Sequence, residues 1–208
     1  MKRQTLLLLA IIISSTATLT AQVQKGDVLL GATMGVYYGN SSGNNSGSSS
    51  NSNLSPRIGF GLGHNSVVGF RTNFGYQTSK SETSSNRLSA TSIGGGLYWR
   101  HYMPIKKQIG WYIEANGGIS FRKEVNKNDV GDKNKATATE YSVGAIPGIY
   151  YQPLPKLLLT VNFGGAGYSY TKNKYEGNPT SRYSNVYFNL MSSFTFGVDF
   201  ILGKRNSG

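Results

Sequence analysis

Apolar and polar residues alternate along most of the chain with a period of two, which is the pattern of β-strands. In the first such stretch Val28 and Leu30 share one face, while Gly31 and Thr33 share the other. Eight stretches of this kind follow one another, although the seventh loses its alternation after Gly164. They predict an all-β domain with strands at residues 28–38, 57–63, 68–77, 92–100, 111–122, 140–151, 159–164 and 188–202.

The connections between the predicted strands are alternately long and short. The short ones are residues 63–65, 103–108 and 152–156, and the long polar ones are residues 40–53, 78–87, 123–136 and 171–184. A barrel that spans a membrane produces this order, with short periplasmic turns at one end and long extracellular loops at the other. The first long connection is rich in Ser, Asn and Gly and is expected to be mobile. We therefore predict an eight-stranded antiparallel up-and-down transmembrane β-barrel.

The composition of the two strand faces indicates which face is turned inward. One face carries mostly Gly, Ser, Asn and Tyr, which suits the narrow interior of an eight-stranded barrel. The other carries Phe, Leu, Val and Ile with almost no charge, so we expect it to contact lipid. A soluble exported barrel with the apolar face inward, around an apolar ligand, is the alternative. Pro147 lacks an amide donor and predicts a bulge in its strand.

Aromatic residues lie near the ends of the predicted strands, where amphipathic rings are favoured at a membrane interface. Near the long loops these are Tyr37, Tyr38, Tyr168 and Tyr170, and near the short turns Trp99, Tyr102, Trp111 and Tyr151. The aromatic girdle is predicted to include Tyr38, Tyr76, Trp99, Trp111, Tyr151 and Phe200.

Composition narrows the chemistry that the chain can perform. Its 208 residues include 27 Gly, 14 Tyr and 9 Phe, which favours β-structure over a helical domain. The count of 0 Cys excludes disulfides, thiolate metal sites and Cys nucleophiles. With only 2 His in the chain, His-based catalysis and metal ligation have little scope, and no cofactor is expected.

The first 21 residues have the features of an export signal. A basic head at residues 1–3 precedes an apolar run at residues 6–13 that is too short to cross a bilayer as a helix. Cleavage is expected after Ala21, with Ala17 as the alternative. The predicted organisation is a signal peptide at residues 1–21 and a barrel domain at residues 22–208, in the cell outer membrane.

A resemblance supports this organisation. The LTAQ end of the export signal, the eight strands and the segment YWRHYMP at residues 98–104 are together similar to the small outer-membrane β-barrel family of the OmpA or OmpX type. The similarity covers nearly the whole mature chain, but only the YWRHYMP segment has the character of a motif. It implies contact with outer-membrane lipid and insertion by the barrel-assembly machinery.

If the polar faces point inward, seven charged side chains form a polar network in the lumen. They are Arg57, Arg71, Arg100, Arg122, Glu114, Glu140 and Asp199. These charges must pair, because an isolated buried charge is very costly. Arg57 should lie roughly opposite Arg71, which requires a carboxylate between them or a shifted register, and Arg100 and Glu114 should be diagonal neighbours. A side-chain plug is favoured over a gated pore or proton path, since eight strands leave little open lumen.

Other candidate chemistry is sparse. A lipid A-modifying enzyme would need a His-based constellation at the membrane interface. His64 lies in a short turn without a carboxylate nearby in sequence, His101 lies beside another short turn with lipid-facing parity, and neither is next to a serine in an HxS arrangement. Glu124, Asp129 and Asp132 form either a divalent-cation site or a solvated loop, and their spacing matches no calcium pattern.

The chain has a formal net charge of +12, from 21 Lys+Arg against 9 Asp+Glu. Much of the excess lies in or beside the predicted long loops, at Lys80, Arg87, Lys123, Lys127, Lys133, Lys135, Lys172, Lys174 and Arg182. These residues either face the phosphates and acidic sugars of lipopolysaccharide or serve general solubility. Nucleic acid is not an expected partner of an exported barrel. We predict a monomeric, non-enzymatic barrel with a structural or surface-interaction role, and the alternatives are a small porin-like pore and a lipid A-modifying enzyme.

Overall fold

The computed structural model describes residues 23–41, 47–81, 87–127, 133–175 and 179–203. They form eight strands: β1 (Val28–Ser41), β2 (Gly47–Gly63), β3 (Ser66–Ser81), β4 (Arg87–Pro104), β5 (Ile109–Lys127), β6 (Lys133–Leu154), β7 (Leu157–Tyr175) and β8 (Ser181–Leu202). A helix long and apolar enough to cross a membrane does not occur among these residues. The predicted export signal lies outside the described part of the chain.

Each strand pairs antiparallel with the next strand in the chain, and β1 also pairs with β8, so the sheet closes into a barrel. The closing pairing runs from Val28 opposite Leu202 to Met34 opposite Phe196. Closure removes the open sheet edges that would otherwise pair with other chains. The predicted fold, an eight-stranded antiparallel up-and-down barrel, is confirmed.

The connections at the two ends of the barrel differ in length, as predicted. Those at one end are residues 64–65, 105–108 and 155–156, and those at the other are residues 42–46, 82–86, 128–132 and 176–180. The longer connections are nevertheless much shorter than the predicted loops. Residues 47–53 of the Ser- and Asn-rich stretch belong to β2 and pair with both β1 and β3. Backbone hydrogen bonds to two neighbours maintain a strand whose polar side chains give no alternation signal.

The orientation of the side chains agrees with the predicted facing. Phe70 and Phe196 are 61% and 64% exposed on the outside, whereas Arg100 and Asp199 are each 1% exposed inside. The buried apolar and aromatic residues cluster at the end with the short connections: Val23, Leu29, Val67, Tyr98, Tyr102, Tyr112, Tyr150, Leu158 and Ile201. This half of the lumen is therefore filled by side chains.

The wall formed by β6, β7 and β8 contains two irregularities. The pairing of β6 with β7 shifts between Ala145 and Gly148, so an irregularity does occur at Pro147, but the extra residue lies in β7 and not in the strand of Pro147 as predicted. The pairing of β7 with β8 shifts at Gly164, whose φ of +82° is readily adopted by glycine. Before this point alternate residues such as Leu159 face outward, and after it the outward set includes Tyr168, which has the opposite parity. The change of parity explains why the alternation is lost after Gly164.

Candidate functional site

A buried ion pair joins β2 to β8 in the lower half of the lumen. The Arg57 guanidinium donates from Nε to Asp199 Oδ1 at 2.6 Å and from Nη2 to Asp199 Oδ2 at 2.5 Å. Such a bidentate arrangement is the strong geometry for an arginine–carboxylate pair. Gly31 of β1 is the register partner of both residues, and a Cβ at this position would overlap the Asp199 carboxylate. The absence of a side chain at Gly31 therefore makes room for the pair.

Arg100 links this pair to a second carboxylate. Its Nη1 donates to Asp199 Oδ2 at 3.2 Å, while its Nε and Nη2 donate to Glu114 Oε2 at 3.0 and 2.5 Å. Arg100 and Glu114 are directly opposite each other on β4 and β5, so the predicted diagonal placement is wrong. Glu114 Oε1 accepts a further hydrogen bond from Arg71 Nη1 at 3.0 Å.

These contacts connect Arg57, Asp199, Arg100, Glu114 and Arg71 into one chain of ion pairs, which we call the lumen network. Arg57 and Arg71 are directly opposite in the register, as predicted. Each of them has its own carboxylate, Asp199 for Arg57 and Glu114 for Arg71. The network combines three guanidiniums with two carboxylates, so its formal charge is +1.

Tyrosine rings surround the central arginine of the network. The Arg100 Cζ atom lies 4.5 Å from the centroid of Tyr112 and 5.7 Å from those of Tyr98 and Tyr102. The negative ring faces attract the guanidinium, and the attraction is stronger where water is excluded. Arg100 Nη1 also donates to the Tyr102 hydroxyl at 3.2 Å. The rings thereby stabilise a cation that the carboxylates do not fully neutralise.

The lumen is closed beneath the network. Tyr102 packs edge-on against Tyr150, with ring centroids 5.3 Å apart. The segment before β1 covers the same end, because Gly26 donates its amide to the Gly61 carbonyl at 3.0 Å and Val23 is fully buried. Nothing in the alternation pattern predicted that residues 23–27 would cover the barrel, since they belong to no strand.

Above the network the lumen contains polar space. A cavity of about 370 Å³ is lined by Asn51, Asn53, Asn73, Ser92, Ser120 and Ser142 among other residues. A second cavity of about 320 Å³ shares Ser92, Ser120 and Glu140 with the first and extends toward the longer connections. Glu140 has no ion-pair partner among the described residues. Most of the lining consists of neutral hydroxyl and amide groups, and the other charged residues are Arg71 in the first cavity and Arg122 and Glu124 in the second.

Arg122, the last predicted member of the network, lies apart from the other arginines. Its Nε is 2.7 Å from Glu124 Oε1, and its Nη2 donates to Gln77 Oε1 at 3.0 Å. Glu124 was predicted to lie in a loop, but it belongs to β5 and lines the second cavity. Asp129 and Asp132, its predicted partners in a cation site, lie outside the described residues. No cluster of residues that could hold a metal ion occurs in the described ranges.

The predicted girdle residues all lie on the outer surface. Their exposed fractions range from 42% for Trp99 to 67% for Tyr38. Tyr102 does not belong with them, because it is 1% exposed and lies in the lumen. Tyr102 lies two residues after Arg100 on the same strand and therefore faces the same side, so the alternation pattern was sufficient to predict that Tyr102 faces the lumen.

The two histidines lie at the end with the short connections. His101 stacks on Trp99, with centroids 6.0 Å apart, and its Nδ1 is 3.0 Å from Ser66 Oγ. The pairing of β3 with β4 places Ser66 directly opposite His101, which the linear sequence did not reveal. No ion pair with a carboxylate completes this Ser–His contact within the described part of the chain.

The chain is similar to known outer-membrane β-barrel proteins. Neisserial surface protein A is 18% identical at a TM-score of 0.41, covering 85% of this chain and 97% of that one. A major outer membrane protein from Thermus thermophilus is 11% identical at 0.46, covering 85% and 99%. The N-terminal β-barrel domain of Pseudomonas aeruginosa OprF is 13% identical at 0.35, covering 86% and 98%.

At these identities and TM-scores the likeness is one of general shape. No protein-family model and no curated protein matches the sequence.

Proposed function

We propose that this chain is an integral, non-enzymatic β-barrel protein of the bacterial outer membrane. Its lumen is closed by side chains at the end with the short connections, which faces the periplasm. Its role is structural or one of surface interaction in the cell envelope.

The distribution of polarity across the wall carries this proposal. In water a folded domain buries its apolar side chains and exposes its ionised ones. Here large apolar residues cover the outside, while Arg57, Arg100, Glu114 and Asp199 are buried in the lumen. An apolar belt of this extent is stable in contact with lipid and is a liability in water.

The lengths of the strands support the same conclusion. The strands contain between 14 and 22 residues, whereas about 9–11 tilted residues are sufficient to cross the hydrocarbon core. The additional residues are the polar ones next to the longer connections, such as residues 47–53 of β2. We place these extensions outside the bilayer, on the extracellular side.

Closure of the lumen distinguishes this proposal from a small pore. Arg100 and the rings of Tyr102, Tyr112 and Tyr150 are each at most 1% exposed, which leaves no space for hydrated ions beside them. The test is conductance in planar bilayers. The double variant Arg100→Ala/Tyr102→Ala, inserted in the same bilayers, provides the comparison with an opened lumen. We expect no discrete conductance from the native chain and measurable steps from the variant. Steps of equal size from both proteins would refute the closed lumen.

The absence of enzymatic activity requires a separate test. Lipid A is extracted from cells that contain the protein and from cells that lack it, and the masses are compared. We expect identical mass patterns. A difference in acylation that disappears in Ser66→Ala or His101→Ala cells would overturn the non-enzymatic assignment.

A further inference from the structure

Eight basic side chains surround the extracellular end of strands β3 to β8, and we call them the basic collar. They are Lys80, Arg87, Lys123, Lys127, Lys135, Lys172, Lys174 and Arg182. All eight are exposed. Their sequence neighbours, such as Arg122 and Glu124 around Lys123, line the lumen. Because successive side chains of a strand alternate between its faces, the collar points outward.

The register places members of the collar side by side. Lys80 is opposite Arg87, Arg87 is opposite Lys127, and Lys172 is opposite Arg182. Side chains at directly opposite positions have Cβ atoms about 4.5–5.5 Å apart, and like charges there are destabilising. A row of adjacent cations therefore requires anions from another source.

The chain itself does not supply enough of these anions. Among the described residues, Glu114, Glu124, Glu140 and Asp199 face the lumen, and Asp27 lies at the opposite end of the barrel. The remaining acids of the sequence are Glu82, Asp129, Asp132 and Glu176, in the connections outside the described residues. These four carboxylates cannot neutralise the eight cations of the collar.

Lys172 lies at the level where the apolar wall ends. Its Nζ is 5.8 Å from the ring centroid of Tyr141 and 5.7 Å from that of Tyr170. Both rings belong to the outer surface, and Val143 and Tyr168 continue that surface below them with 57% and 44% exposure. Aromatic rings with a cation directly above them are typical of the depth at which lipid headgroups lie.

We infer that the basic collar binds the phosphate groups of an anionic lipid in the outer leaflet, with Lys172 and Arg182 at the centre of the site. This inference rests on the proposed function, because only a membrane-embedded barrel presents the collar to headgroups. A lipid contacts both parts of the surface, since its phosphate neutralises the adjacent cations while its acyl chains lie along the apolar wall. Free phosphate would neutralise the cations but would make no contact with the apolar wall.

The experiment uses the full protein extracted in detergent, with bis-phosphorylated lipid A in mixed micelles as the probe and native mass spectrometry as the readout. The test variant is Lys172→Gln/Arg182→Gln. The control is Lys106→Gln/Lys107→Gln, which removes the same charge at the short-connection end. We expect the test variant to bind the lipid more weakly by roughly fivefold for each charge removed, and the control to bind as the native chain does. Equal weakening in both variants would overturn the inference.

Two further measurements separate the possible reasons for failure. Inorganic phosphate at the same phosphate concentration should not displace the lipid, and displacement would show a general anion site in place of a lipid site. In lipid-free detergent the test variant should unfold close to the native temperature, since relief of the contact between Lys172 and Arg182 offsets the loss of the ring contacts of Lys172. A lower unfolding temperature would show that the collar is structural. If lipid binding fails and the native chain lacks a heat-dependent shift in gel mobility, the proposed function fails as well. If lipid binding fails but the shift is normal, only the inference about the collar is overturned.

Discussion

Replacing Asp199 by asparagine tests the lumen network at one of its two carboxylates. Asp199 accepts two hydrogen bonds from Arg57 and one from Arg100, and it is 1% exposed. The amide has one accepting oxygen and turns an NH₂ group toward the guanidiniums. The variant network would contain three guanidiniums and one carboxylate, so its formal charge rises from +1 to +2.

The expected cost follows from the burial of both partners. Removing one member of a buried ion pair leaves an uncompensated charge and costs about 3–5 kcal/mol. A small folded domain is stable by only about 5–15 kcal/mol, so the substitution should remove a large part of the free energy of unfolding. Solvent screening does not reduce this value, because the side chain of Arg57 is also only 5% exposed.

Urea titration of the detergent-folded barrel, followed by the fluorescence of Trp99 and Trp111, measures this loss. Glu140→Gln is the matched control: it makes the same chemical change in the lumen, but Glu140 has no ion-pair partner among the described residues. We expect the control to change the free energy of unfolding by less than about 1 kcal/mol. Equal losses in the two variants, or a near-native Asp199→Asn barrel, would refute the lumen network.

Three other substitutions test the facing and the close contacts of the wall. Phe196→Asp places a charge on the lipid-facing surface and should cost about 1–3 kcal/mol in the same titration, and an unchanged midpoint would indicate that Phe196 does not contact the apolar phase. Gly31→Ala forces a Cβ into the Asp199 carboxylate and against the Val198 backbone carbonyl; it should destabilise the native chain strongly and the Asp199→Asn chain somewhat less, because that chain has already lost the ion pair with Arg57 while the clash with the carbonyl remains. Gly96→Arg directs a long side chain into the lumen, and even its Cβ would overlap the Gly117 carbonyl of the neighbouring strand. The variant should therefore lose the heat-dependent gel shift that a correctly closed barrel gives.

Alternation along the chain was sufficient to predict the strand number, the antiparallel order and the outward face. It succeeded because an eight-stranded wall between two environments imposes a period of two at almost every position. Its failure after Gly164 had a local cause, since one residue with positive φ reverses the parity of β7. The sequence shows that the alternation is lost after Gly164, but not which of the following residues face outward.

Where the outward side chains are polar, the same signal disappears. The extensions of β2 and β5 into the predicted loops carry Ser, Asn, Lys and Glu, so nothing in their polarity marks them as strands. Glu124 was assigned to a loop for this reason, although it lines the lumen. Backbone pairing with both neighbours, which the side chains do not report, determines where these strands end.

The membership of the lumen network was predictable, but its connections were not. Parity alone placed Arg57 and Asp199 on the inner face, yet they are 142 residues apart in the sequence. Their contact depends on the closing pairing of β1 with β8 and on the space left by Gly31. Which carboxylate neutralises which arginine is therefore a property of the closed barrel and not of any single hairpin.

Gel mobility of the membrane fraction, with and without boiling in SDS, tests most directly whether this chain is a closed barrel embedded in a membrane. We expect the protein to be absent from the soluble periplasm, to require detergent for extraction, and to change its mobility on heating as the closed barrel unfolds. A soluble protein with the same mobility before and after boiling would contradict the lipid-facing assignment of the apolar wall.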